Sequence, residues 1–104
     1  METTTIKRSF SETIAGSPLV LVDFFTEWCG PCKMMAPVLK EIKQLVGEGI
    51  TILKVDVDKN NQTAMQFNVS GVPTLILFKK GEVVWRQSGA IPLHILKNII
   101  EKNR

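Results

Sequence analysis

Apolar residues along this chain fall into two kinds of pattern: unbroken runs of strand length, and stripes at helical spacing. From Leu19 to Phe25 the run "LVLVDFF" is apolar at every position except Asp23. A run of that length without alternation is expected of a strand covered on both faces, hence a central one. From Pro31 to Val46 the apolar residues Met35, Val38, Leu39, Ile42, Leu45 and Val46 recur at helical spacing, with Lys40, Glu41, Lys43 and Gln44 on the other side. The pattern predicts an amphipathic helix with that stripe buried, closed by Gly47 and bent where Pro37 removes a backbone donor. "TILKVDVD", Thr51 to Asp58, predicts a second buried strand. A strand, helix, strand series of this length favours parallel pairing through a right-handed crossover.

The flanks are shorter. A strand is expected over Thr3 to Ile6, then a helix to about Ala15 that opens on Ser9 with Glu12 three residues on, the spacing of a capping box. Gly16, Ser17 and Pro18 end it. "NNQTAMQFN" predicts a short helix capped by Asn60 or Asp58. In "TLILFKKGEVVWRQSG" two β-rich runs flank Lys80-Gly81, a two-residue connection that makes an antiparallel hairpin. Pro92 suits the first turn of a closing helix through about Lys102, with Leu93, Leu96, Ile99 and Ile100 buried. The sum is an α/β chain: a mixed sheet of four to five strands, flanked on both faces by about four helices, in a single domain over residues 1–104.

Composition adds mainly exclusions. The net charge of +3 comes from 13 basic residues that never run longer than a pair, so the basic stripe of a nucleic-acid binder is missing. The N-terminal "METTTIKRSF" lacks the apolar stretch of a secretory signal, and "PLVLVDFF" is far too short to span a bilayer. The expectation is a cytoplasmic protein with neither a nucleic-acid nor a membrane partner. In that reducing setting two cysteines point to redox or metal chemistry in preference to a structural bridge.

Both cysteines lie in "EWCGPCK", between the central strand and the long helix. As a staple, a four-residue loop contributes only about 2 kcal/mol in the chain-entropy estimate, against about 3 for fifteen residues. Zinc needs four ligands, and this chain has one Cys pair and a distant His94. Redox chemistry needs only two thiols close enough to share one bond, and Cys29 and Cys32 on a tightening turn meet that geometry. At the helix N-terminus the positive end of the macrodipole and unpaired N–H groups favour a thiolate, which makes Cys29 the attacker. A lowered pKa also makes it a good leaving group when Cys32 resolves a mixed disulfide.

"VDFFTEWCGPCKMMAPVL" resembles the active-site segment of the thioredoxins, and "VSGVPTLILFKKGEVV" resembles their second signature. The resemblance implies the thioredoxin fold and reduction of protein disulfides, with Cys29 as nucleophile, Cys32 as resolving thiol, and Gly30 and Pro31 shaping the turn. It implies no bound cofactor: electrons come from NADPH through a flavoprotein thioredoxin reductase, and the chain lacks a nucleotide fingerprint of its own. It implies disulfide-containing target proteins as partners of a monomer. Asp23, a carboxyl in an apolar strand, is expected to have a raised pKa and, by the family match, to help deprotonate Cys32. Lys54 is either its ionic neighbour or a lysine snorkelling to solvent. Pro73 resembles the family's cis-proline facing the cysteines. Trp28, Gly71, Val72, Pro73 and Gly89 would line a groove where a target lies extended, paired to Val72 as an added strand; a half-buried plug is the plainer reading of Trp28. Met34, Met35 and Trp85 read as packing residues, and His94 as incidental surface. One departure stands out: many thioredoxins have Trp where this chain has Phe25. Two rivals remain, an oxidase or isomerase on the same fold and a binding module whose thiols are idle.

Overall fold

The computed structural model describes Glu2, Thr3 and residues 10–104. Its strands are β1 (Glu2–Thr3), β2 (Leu19–Phe25), β3 (Thr51–Asp56), β4 (Thr74–Lys79) and β5 (Glu82–Ser88), and its helices α1 (Phe10–Ala15), α2 (Gly30–Val46), α3 (Asn61–Gln66) and α4 (Leu93–Asn103). They form one five-stranded sheet in the order β1-β3-β2-β4-β5. β1, β3 and β2 are parallel, while β4 and β5 run antiparallel. The sheet is mixed for a simple reason. The β2–β3 connection carries a helix and can cross over, whereas β4 and β5 are joined by Lys80 and Gly81 alone. Both turn residues have positive φ, 52° and 86°, the backbone that matches the twist of a tight hairpin and suits Gly81.

β2 is central, as its unbroken apolar run predicts: β3 lies along one edge and β4 along the other. Strand alternation divides its side chains between two cores. Leu19 and Leu21 join Ile52, Leu75 and Leu77 beneath Met35, Leu39 and Ile42 of α2 and Leu96 and Ile100 of α4. Val20, Val22 and Phe24 face the other way, with Leu53, Val55, Ile76, Phe78, Ile14 and the aromatic pair Phe10 and Phe67. Helices therefore cover both faces.

Some expectations shift. Only Glu2–Thr3 of the first strand falls within the described residues; the rest of it and the Ser9 cap lie outside them. β3 stops at Asp56, two residues early, because the chain turns there: Asp56 is buried and its carboxylate accepts the Asp58 N–H at 2.9 Å. Asn60 is the N-cap of α3, and its side-chain amide donates back to the Asp56 carbonyl at 3.0 Å. Pro92 is the N-cap of α4, one residue ahead of its first turn. Leu45, assigned to the buried stripe of α2, is 52% exposed at the margin of that stripe, while Val46 beside it still packs against the core. Met34 is likewise exposed, at 67%, whereas Met35 is a core residue and Trp85 packs partly buried against the same core. α2 continues through Pro37, which sits on its exposed side, and Gly47 ends it. Lys43 reinforces that end by donating to the carbonyls of Gly47 and Ile50. No helix among the described residues is long and apolar enough to cross a membrane.

Leu39 holds α2 on the sheet and is wholly buried. Leu39→Ala should cost about 2–5 kcal/mol of unfolding free energy, because the close-packed layer around it relaxes only partly. Urea titration followed by far-UV circular dichroism measures the loss.

Candidate active site

Beyond Phe25 the chain leaves the sheet and turns into α2, a turn closed by the Cys29 N–H on the Thr26 carbonyl. Cys29 is the N-cap of α2, with extended backbone (φ −90°, ψ 115°), and its sulfur accepts the N–H of Cys32 at 3.1 Å. A sulfur thus occupies the place that a serine or aspartate oxygen takes at an ordinary helix start. Gly30 and Pro31 follow, both exposed, and Pro31 has no N–H to leave unpaired in the first turn. The two sulfurs are joined as a disulfide, with Cα atoms 5.3 Å apart. Each cysteine is only 5% exposed, so accessibility does not single out Cys29 as the outer one. Position in the cap does: its sulfur receives a helix N–H and lies at the positive end of the dipole.

Asp23 lies on the α2 side of β2, level with Lys54 on β3 and Leu75 on β4. It is 1% exposed, and neither carboxylate oxygen has a hydrogen-bond partner among the described residues. Loss of water raises its pKa from 3.8 to about 6, and the positive charge of Lys54 pulls in the opposite direction. Lys54 is half-buried, and its ammonium stands 4.7 Å over the centre of the Phe25 ring. Its charge acts on Asp23, and its head group rests against the Phe25 ring. A cleft of about 290 Å³ brings Phe25, Thr26, Lys54, Cys32, Lys33 and Ala36 together beside the disulfide.

Trp28 is no plug. Its indole is 73% exposed and donates Nε1–H to Asp58 Oδ2 at 3.0 Å. The role of Asp58 was missed by sequence reasoning, which took it for a possible cap; thirty residues separate the pair, and no local pattern joins them. Trp28, Gly71 and Val72 line a second cleft, of about 250 Å³, with Thr26, Asp58 and Ser70. The Val72–Pro73 peptide is cis. Thr74 fixes this loop by donating its hydroxyl to the Gly71 carbonyl at 2.7 Å, with Ser88 Oγ 3.0 Å away. Gly89, at φ 95°, donates its N–H to the Pro73 carbonyl at 2.8 Å, so the two loops are laced together. Arg86 adds bonds to the carbonyls of Phe67 and Asn68, at 2.6 and 3.3 Å, tying the segment before the loop to β5. His94 is exposed on α4, and the described residues hold no cluster of His, Cys, Asp and Glu fit for a metal.

The family model for thioredoxin matches residues 2–102. The chain belongs to the thioredoxin family. It is 46% identical to a thioredoxin of Bacillus subtilis, covering 92% of this chain and 91% of that one. It is 49% identical to a thioredoxin of Chlamydia muridarum, over 92% of each. Among solved structures, Plasmodium falciparum thioredoxin superposes over 100% of both chains with a TM-score of 0.88 at 36% identity. A thioredoxin variant from Halobacterium salinarum gives 0.88 at 34% identity, over 97% of this chain and 88% of that one. Family membership and a Cys-x-x-Cys pair at bonding distance make the chain a thiol-disulfide oxidoreductase, with protein-disulfide reductase activity.

The raised pKa of Asp23 links stability to pH. The folded disulfide form holds this proton up to about pH 6, while the unfolded chain releases it near 3.8, so the contribution of Asp23 to stability is greatest below pH 4 and is lost as pH rises through 6. The loss amounts to about 3 kcal/mol. Asp23→Asn should therefore stabilise the disulfide form by up to about that amount at pH 8 and by nothing near pH 3.5. Urea unfolding at the two pH values checks the sign.

Proposed function

We propose that Cys29 attacks, Cys32 resolves and Asp23 is the base that takes the Cys32 proton. The observation that carries this reading is the sulfur of Cys29 serving as helix cap, where a negative charge is stabilised by a backbone N–H and the dipole. In the reduced protein the Cys29 thiolate attacks one sulfur of a target disulfide, and the other target sulfur leaves as a thiolate. The Cys32 thiol then gives its proton to the Asp23 carboxylate and attacks Cys29. The second target thiolate departs with the proton held by Asp23, the first takes a proton from solvent, so that the target has gained two electrons and two protons, and the Cys29–Cys32 disulfide remains. A base with pKa about 6 is ionised at neutral pH yet close enough to it to accept and return a proton. Lys54 limits how far burial raises that value.

The target lies along the face made by Trp28, Gly71, Val72, Pro73 and Gly89. Support comes from the exposed indole and the cleft beneath it. It comes also from the backbone of Val72, which forms no backbone hydrogen bond among the described residues and is left to pair with an extended segment. Gly30 and Pro31 set the turn between the sulfurs. In this reading residues 1–104 act as one domain and as a monomer in the cytoplasm. NADPH, through a flavoprotein thioredoxin reductase, returns the disulfide to its dithiol.

Three variants separate the roles in single-turnover assays on a disulfide-linked protein substrate with dithiol as reductant. Cys29→Ser abolishes turnover. Cys32→Ser accumulates a mixed disulfide visible by mass. Asp23→Asn leaves formation of that adduct unchanged and slows its resolution, by about 10²-fold if Asp23 acts as general base. Equal rates for both steps in Asp23→Asn and the parent would refute its assignment.

A further inference from the structure

Met35 follows Cys32 by three residues on α2, and both side chains are buried on one face of the helix. Its sulfur does more than fill space. Met35 Sδ accepts the N–H of Ile91 at 3.5 Å, with the two residues 1% and 3% exposed. Ile91 lies in the segment 89–92 that joins β5 to α4. Gly89 donates its N–H to the Pro73 carbonyl and Ile91 donates to the sulfur, so the segment is strung from the cis-proline loop to α2. Among the described residues no other hydrogen bond joins α2 to it. The Ile91 side chain packs in the same core as Met35, Leu96 and Ile100. Beside this contact, Met34, Met35, Val38, Ala90, Ile91 and Pro92 line a cleft of about 270 Å³.

We propose that Met35 is a positioning residue for target capture: by accepting the Ile91 N–H, its sulfur holds segment 89–92 against α2 in the arrangement that receives a target at Gly89. This role rests on the reading of Gly89 as part of the target face. An aliphatic residue of the same length would keep the packing and offer no acceptor. The N–H would then be left unpaired in a dry core, and the water able to pair it lies across the cleft, so relief comes by drawing the segment off α2. The direction of the change is fixed: without the sulfur the held segment loses a bond and the released one loses nothing. A thioether is a weak acceptor, so the ratio of held to released segment should fall about two- to twelvefold, the range for one net hydrogen bond. A target that binds the held form loses affinity in step with the held fraction, and its rate of reaction once bound is unchanged.

Norleucine has the length of methionine without its sulfur, and selenomethionine keeps an acceptor at the same place. Both are incorporated in a Met34→Leu, Met65→Leu background, so that position 35 is the one described methionine that changes. Amide hydrogen exchange of the disulfide form, read by NMR, should show Ile91 exchanging faster by that factor with norleucine, relative to core amides such as Leu21. With selenomethionine it should stay within about twofold of the parent background. Single-turnover reduction of a disulfide-linked protein substrate should then half-saturate at a higher substrate concentration with norleucine, by no more than the exchange factor, and reach the same limiting rate. Unchanged Ile91 exchange with norleucine, or equal acceleration with selenomethionine, overturns the hold. Faster exchange with unchanged half-saturation overturns the role in capture. Failure of the target-face reading itself shows apart from these, because Trp28→Ala then leaves half-saturation unchanged as well.

Discussion

Everything at this site depends on the enclosure of β2. The strand is hydrogen-bonded along both edges and covered on both faces, so a polar side chain placed in it loses nearly all contact with water. Asp23 is that side chain. The apolar layers that cover β2 on both faces also push the carboxyl toward its neutral form, and the same strand delivers the cysteine turn at its end. Stability and chemistry oppose each other at a single residue. An asparagine there would relieve the cost of burial and remove the base proposed for Cys32.

Much of this architecture could be read from residue order. The unbroken run at 19–25 identified the central strand, the Lys80-Gly81 pair identified the hairpin, and the spacing of Cys29 and Cys32 ahead of a helical stripe identified the redox pair. These are local signals with local causes. What escaped reading was contact between distant segments. Asp58 was assigned by its distance from α3, and its bond to Trp28 depends on how two loops meet above the sheet. Leu45 and Met34 lie at one margin of the apolar stripe of α2, and periodicity does not report how wide a face its neighbours cover.

Phe25 lies between these cases. Its identity was legible as a departure from the family's common Trp, and its consequence was not, because the side chain that meets it comes from another strand. Position 54 alone permits two descriptions, a partner of Asp23 or a lysine reaching outward. In the structure its charge acts on Asp23, and its ammonium rests against the ring at 25.

The ties around the Gly71–Pro73 loop have an effect that concerns time as well as shape. Thr74, Gly89 and Arg86 fasten that loop and its approach to the last two strands, so its shape is settled before any guest arrives. A visiting chain would bear the entropy of its own ordering and little for the host. Modest contact area would then suffice for capture on the proposed face, and with few contacts to undo a spent guest could leave quickly.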